Sequence, residues 1–274
     1  MTVDPDAFDS FEAASWEVAA SAYDRFFAQV TPLAVEPLLD AAGVTAEKRV
    51  LDAATGPGYC AAAAAERRAS VLGVDVARAM VELARRKHPV LRFERASVTK
   101  LPFPDASFDA AVGNFMILHL GEPERAVEEL SRVLVRDGAL ALSTWDQPDE
   151  ARLFGVVLEA IADVGVAPPG DVPAGPSFFR FADDAEFRQL LSGAGLSDVR
   201  VETVRFEHEL RSSEDLFVAM LEGTVRISAL LRGADDRQRE LVREALESRL
   251  SPYRRGTAFA VPVSIKICSG RKAR

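Results

Sequence analysis

Nine residues, Val50-Leu51-Asp52-Ala53-Ala54-Thr55-Gly56-Pro57-Gly58, restrict the fold more than any other stretch of the chain. An apolar run ends in an acid, a turn bracketed by two glycines follows, and an alanine-rich run from Ala61 to Ala65 comes next. The pattern is a strand that enters a tight turn and leaves as a helix. Gly56 and Gly58 permit backbone angles closed to residues with a side chain, and they let a ligand approach the main chain. Asp52 sits where the strand runs out, so its carboxylate is expected to face the crevice above a sheet. Nucleoside-type cofactors bind in such crevices, at the carboxyl ends of parallel strands. An ordinary strand–helix turn has the same glycine spacing, so the neighbouring segments must decide between the two.

Those segments keep up an alternation. Strands are expected at 49–53, 70–75, 90–95, 108–115 and 139–145, and helices at 59–68, 77–87 and 122–134, with Asp137-Gly138 ending the last helix. Strands alternating with helices make a doubly wound parallel α/β sheet. Asp75 closes the second strand, and an acid there suits either two vicinal ribose hydroxyls or the cap of the next helix. Ahead of the sheet, residues 11–29 read as an amphipathic helix with Trp16, Tyr23 and Phe27 on one face, packed on the domain or touching ligand. A second helix is expected over 32–42.

The rhythm breaks at Pro148. A helix near 150–164 leads into the proline- and glycine-rich loop 168–176. Asp183 with Glu186 resembles a capping box. A strand over 199–210 is expected to bulge between Val201 and Val204. Helices at 213–231 and 235–250 precede a last strand over 259–269, in which Pro262 demands an edge or a bulge. The two final strands suggest a hairpin whose loop has swollen into a helical lid. The expected organisation is one domain over 1–274: an N-terminal helical cap (1–45), a cofactor-binding core (46–147) and substrate-side insertions (148–182 and 211–256).

Net charge of -9 with a pI near 5.0 disfavours a nucleic-acid partner, because phosphates would be repelled. The basic end, Arg271-Lys272-Ala273-Arg274, is expected to be solvated. The two cysteines, Cys60 and Cys268, have no metal-ligand spacing, so no metal is expected and reduced thiols in a cytoplasmic protein are the default. No leader pattern opens the chain and no apolar run is long enough for a membrane span. The partner expected is a small molecule, and a homodimer is left open.

Four stretches together resemble the class I S-adenosylmethionine-dependent methyltransferases, most closely the small-molecule enzymes of the ubiquinone/menaquinone-biosynthesis and natural-product type. They are the Val50–Gly58 segment, Gly73-Val74-Asp75-Val76, Leu101-Pro102-Phe103-Pro104-Asp105-Ala106-Ser107-Phe108-Asp109, and Glu129-Leu130-Ser131-Arg132-Val133-Leu134 followed by Gly138. The resemblance implies a seven-stranded sheet of order 3-2-1-4-5-7-6 with the seventh strand antiparallel, and S-adenosylmethionine as cofactor. By position, Asp52 and the backbone at Ala54 and Gly56 would hold the cofactor's amino-acid end, with Gly58 completing the turn. Asp75 would take the ribose hydroxyls, Val76 the adenine face, and Ser97 and Val98 the adenine edge. Asn114 and Phe115 would lie near the reacting methyl, and Tyr23 would fold over the cofactor. Many relatives carry an Asp at the position of Ser97; a serine hydroxyl also accepts a hydrogen bond, without charge assistance.

Methyl transfer from a sulfonium is an in-line displacement with a neutral leaving group, so placement supplies most of the acceleration. A base is needed only where the acceptor must lose a proton. His119, just past the fourth strand, is the candidate, either as that base or as a ring packed among apolar neighbours on a backbone carbonyl. His88 and His208 read as structural, and Asp109 lies at the wrong end of its strand. Met116, Trp145, Phe178, Phe179, Phe217 and Met220 are the acceptor-pocket candidates, and each is equally a core residue. As a set they suit a hydrophobic organic acceptor at carbon, oxygen or nitrogen. Two rivals stay open. A nicotinamide oxidoreductase would use the same glycine turn but lack the antiparallel last strand. A non-catalytic S-adenosylmethionine-binding regulator would lack an open acceptor pocket.

Overall fold

The structure is a computed structural model, and it describes residues 4–273. Met1, Thr2, Val3 and Arg274, parts of the acidic start and basic end, lie outside the described residues. The chain opens with α1 (Pro5–Phe27), a single turn at Thr31–Ala34 and α2 (Val35–Ala41). The alternating part follows: β1 (Arg49–Ala53), α3 (Tyr59–Glu66), β2 (Ser70–Asp75), α4 (Arg78–Lys87), β3 (Arg92–Arg95), β4 (Phe108–Gly113), α5 (Pro123–Val133) and β5 (Leu134–Trp145). The remainder is α6 (Arg152–Val164), α7 (Asp184–Gly193), β6 (Leu196–Leu210), α8 (Ser213–Gly223), α9 (Arg226–Gly233), α10 (Asp236–Leu250), β7 (Arg254–Arg255) and β8 (Ala258–Lys272).

The strands form one sheet of order β3-β2-β1-β4-β5-β8-β6, with the two-residue β7 hydrogen-bonded to β8. Pairs among β1 to β5 are parallel, and β8 runs antiparallel to β5 and β6. The expected order and the antiparallel strand are present; the short β7 makes eight strands where seven were expected. β1 is buried along four of its five residues, as a strand covered by helices on both faces must be. One apolar cluster joins α2, α6, α8 and α10 to one side of the sheet, and a second joins α5 and α7 to the other.

Several local expectations shift. The helix α5 ends four residues before Asp137-Gly138, because β5 starts at Leu134, pairs with Phe108, and resumes its register at Ala139 opposite Ala110. Asp137, with φ +61°, lies in the extra residues between. The bulge in β6 falls between Ser197 and Arg200, around Asp198 with φ +52°, and not between Val201 and Val204, where the register to β8 is unbroken. Pro262 lies beyond the last β5 partner, Ile265, so one side of β8 is open there, as a missing N–H requires. Asp183 caps α7 through the N–H groups of Ala185 and Glu186, but the Glu186 carboxylate bonds Arg180 instead of completing a capping box. The basic end is solvated only in part: Arg271 is exposed although it belongs to β8, while Lys272 is half-buried and donates to the carbonyls of Arg132 and Leu134.

The expected helix over 213–231 is two helices. It breaks at Thr224-Val225, and the hydroxyl of Thr224 accepts from the N–H of Ser228 near the start of α9. This break resets which residues face inward. Gly223, at the end of α8, lets that helix approach the backbone of α1: a Cβ there would lie 3.2 Å from Tyr23 Cα.

Candidate active site

A cavity of about 350 Å3 opens at the carboxyl ends of β1, β2, β4 and β5, under α1 and the start of α9. This is the place where open α/β sheets bind ligands, because the strand order reverses there.

One end is built by the turns after β1, β2 and β3. Ala54 and Gly56 line it, both in the left-handed region with φ +52°. A Cβ on Gly56 would meet nothing within 4 Å, so its main chain is open to the cavity. The Gly56 N–H donates to Asp75 Oδ2 and the Ala77 N–H to Asp75 Oδ1, each at 2.9 Å. Asp75 is 7% exposed, and burial pushes its carboxyl up to about 6 against those two hydrogen bonds. Val76, Met80, Ser97 and Val98 complete this wall. Ser97 Oγ is shared with Thr99 Oγ1 at 2.8 Å. The helix-cap role foreseen for Asp75 is met only in part: it takes the Ala77 N–H, while the next two N–H groups of α4, Arg78 and Ala79, are taken by Glu17 of α1 at 2.6 and 2.8 Å.

Two expected members of this wall are placed elsewhere. Asp52, 1% exposed, does not line the cavity. Its Oδ2 accepts from Thr55 Oγ1 at 2.5 Å and from the Ala61 N–H at 2.9 Å, which locks the turn to the first residues of α3. Burial raises its carboxyl to about 7. Gly58, φ +88°, faces away from the cavity; a Cβ there would lie 2.9 Å from His88 and 3.0 Å from Phe93.

The other end is aromatic. Phe115 stacks on Trp145 with centroids 4.0 Å apart, and the series continues through Phe154, Phe178 and Phe179 at 4.7, 5.6 and 5.0 Å. Met116 lines the same wall. Phe115 has φ +55°, unusual for a bulky residue, and its N–H is held by Ser143 Oγ at 2.9 Å. Ser143 donates to Asn114 Oδ1, and Asn114 Nδ2 donates to the Thr31 carbonyl, so Asn114 ties three segments together at the cavity edge. From α1, Trp16 and Tyr23 roof the site, their rings 5.3 Å apart edge-to-face; Tyr23 stacks on Phe27. Burial pushes the Tyr23 phenol upward.

Phe217 and Met220 are core residues and not cavity residues: both are buried, and Phe217 lies under the Arg243 guanidinium. The break at Thr224-Val225 brings Val225, Arg226, Ile227 and Leu230 to the cavity in their place. His119 lines the cavity, and its partner is not a backbone carbonyl. Its Nδ1 lies 3.0 Å from Oε2 of Glu12, which is 2% exposed. Glu12 Oε1 takes Arg226 Nε at 3.2 Å. The sequence reading passes over Glu12, although it is the one acid in the apolar stripe Phe8, Glu12, Trp16, Ala19, Tyr23, Phe27 of α1; Arg226 carries no such signal. Asp109 is at the far end of β4, in a two-pronged pair with Arg49.

Comparison with known proteins agrees with this geometry. A family described as methyltransferase domain matches residues 51–142. The demethylmenaquinone methyltransferase of Paenarthrobacter aurescens is 30% identical over 170 residues, 59% of this chain and 67% of that protein. The one from Renibacterium salmoninarum is 29% identical over 170 residues, 59% of this chain and 72% of that protein. The crystal structure of the YcgJ protein of Bacillus subtilis superposes with a TM-score of 0.56 at 20% identity, over 88% of this chain and 99% of that one. The chain belongs to the class I S-adenosylmethionine-dependent methyltransferases, in the branch that acts on small molecules. Its methyl donor is S-adenosylmethionine, and the donor set fits that molecule: an acceptor carboxylate at the tip of β2, open main chain at Ala54 and Gly56, and apolar walls at Val76, Met80 and Val98.

Proposed function

We propose that this methyltransferase acts on a small hydrophobic acceptor seated between Trp145, Phe178, Phe179 and Met116, with its cofactor at the Asp75 end of the same cavity. Asp75 would receive the ribose hydroxyls, Val76 would pack on the adenine face with Val98 at its edge, and Ala54 and Gly56 would present main chain to the amino-acid end. Ser97 would meet the adenine edge, and Tyr23 with Phe115 would flank the reacting centre. His119 would serve an acceptor that must lose a proton. When bound, the cofactor supplies an electrophilic methyl on a sulfonium, and nearby aromatic faces favour that charge by about 0.5–2 kcal/mol. The segments 148–182 and 211–256 would form the acceptor side of the domain.

The observation that carries the reading is a single cavity that joins Asp75 and the open main chain of the glycine turn to the aromatic series from Phe115 to Phe179. The names of the two quoted relatives, both demethylmenaquinone methyltransferases, support an apolar acceptor. The nicotinamide reading required the antiparallel last strand to be lacking, and β8 is antiparallel to β5. The open aromatic end speaks against a purely regulatory binder. Among the described residues no helix is long and apolar enough to cross a membrane, and Cys60 and Cys268 are free and buried, which supports a cytoplasmic setting. Calorimetric titration with S-adenosylmethionine, S-adenosylhomocysteine and NAD tests the site. The first two should bind one per chain and NAD should not. Binding of NAD alone would overturn the assignment.

A further inference from the structure

The two ring nitrogens of His119 have different surroundings. Nδ1 faces Glu12, while no hydrogen bond involves Nε2 among the described residues. Glu12 is held in turn. Arg226 Nε meets its Oε1, and the rest of that guanidinium is occupied by the carbonyls of Pro176 and Leu118 at 2.7 and 2.5 Å. Phe8 and Phe178 cover the guanidinium at 4.6 and 5.6 Å. A carboxylate accepts only and an arginine donates only, so the one proton of a neutral His119 must sit on Nδ1. Nε2 is then a bare lone pair on the cavity wall, beside Trp16 and Phe178.

We infer that Glu12 and Arg226 are positioning residues that fix the His119 tautomer, and that the site takes an acceptor bearing an acidic ring hydroxyl, a phenol or enol. This rests on the methyltransferase reading and narrows its acceptor. In the reaction the hydroxyl proton passes to Nε2. The freed oxygen, or a ring carbon conjugated to it, forms a bond to the methyl carbon as the carbon–sulfur bond breaks, and that electron pair stays on sulfur. The imidazolium formed lies against Glu12, which stabilises it. A bare Nε2 takes a proton and offers none, so it suits an acceptor that arrives with an acidic hydroxyl.

The substitution Glu12→Gln gives a sharp test. Arg226 Nε can face only the amide oxygen, so the amide NH2 faces Nδ1 and drives the proton to Nε2. The full chain, saturated with S-adenosylhomocysteine at about pH 8.5, where free imidazole is neutral, is followed by nitrogen-15 NMR of the imidazoles, with His119→Gln assigning the resonance. Nε2 of His119 should be unprotonated in the wild type and protonated in Glu12→Gln. Added 2-naphthol should shift the wild-type Nε2 resonance and 2-methoxynaphthalene, which has no donor, should not. An Nε2-protonated wild type, an unchanged tautomer in a folded Glu12→Gln, or equal responses to both naphthalenes overturns the inference. If Glu12→Gln does not fold, the wild-type tautomer and the naphthalene pair decide it. Calorimetry on the same samples separates this from the cofactor reading, which fails only if S-adenosylhomocysteine does not bind.

Discussion

Replacing Asp75 by Asn should weaken cofactor binding about a hundredfold and leave the fold almost as stable as before. The free carboxyl value of 3.8 rises to about 6 in the folded chain, chiefly through burial. A carboxyl with a raised folded value binds protons more readily when folded. Folding therefore takes up a proton between about pH 4 and pH 6, and stability falls as the pH rises through that window. Two units at about 1.4 kcal/mol each make the ionised carboxylate cost about 3 kcal/mol at neutral pH. An amide avoids that cost. It has only one oxygen for the two N–H donors of Gly56 and Ala77, and one unpaired buried N–H costs about 1–3 kcal/mol. The two effects offset to within about 2 kcal/mol. Cofactor binding has no such offset, because two ribose hydroxyls lose a charged acceptor, worth about 3 kcal/mol or a hundredfold in affinity. The assay pairs calorimetric titration of S-adenosylmethionine with urea unfolding at about pH 7.5. A second arm uses acid: wild-type affinity should fall about tenfold per pH unit below about 6, as protonation removes the acceptor, and the variant should be flat there. A folded Asn variant that binds within about threefold of the wild type would refute the ribose role, and so would a wild type indifferent to acid.

Two further outcomes are expected. Glu17→Ala removes the carboxylate that takes the Arg78 and Ala79 N–H groups, and should cost about 1 kcal/mol in urea unfolding, the usual worth of a helix cap; unchanged stability would mean that water replaces it fully. Ser97→Asp offers a charged acceptor on the cavity wall and should tighten S-adenosylmethionine binding by about tenfold, near 1.4 kcal/mol; weaker binding in calorimetry would show that the adenine edge lies elsewhere.

The strand–turn–helix at Val50–Gly58, the alternation through β5 and the acid at Asp75 were all legible, because each depends on neighbours close in sequence. Asp52 and Gly58 show where that reading stops. Their residue types pointed to the ligand, but the Asp52 carboxylate is turned to Thr55 and Ala61, and the α-carbon of Gly58 is packed against His88 and Phe93. Phe217 and Met220 failed for a different reason. Helical periodicity predicts a face only while the helix is continuous, and the break at Thr224-Val225 rotated Arg226, Ile227 and Leu230 into the cavity instead.

By itself, then, the sequence determined the parallel sheet, its glycine turn and the cofactor class, since these follow from short-range patterns of burial and backbone freedom. Only the tertiary structure decided the aromatic end of the cavity. There α1 and α9, some 214 residues apart at Glu12 and Arg226, meet across His119, and no local pattern encodes a contact between segments that the chain brings together only on folding.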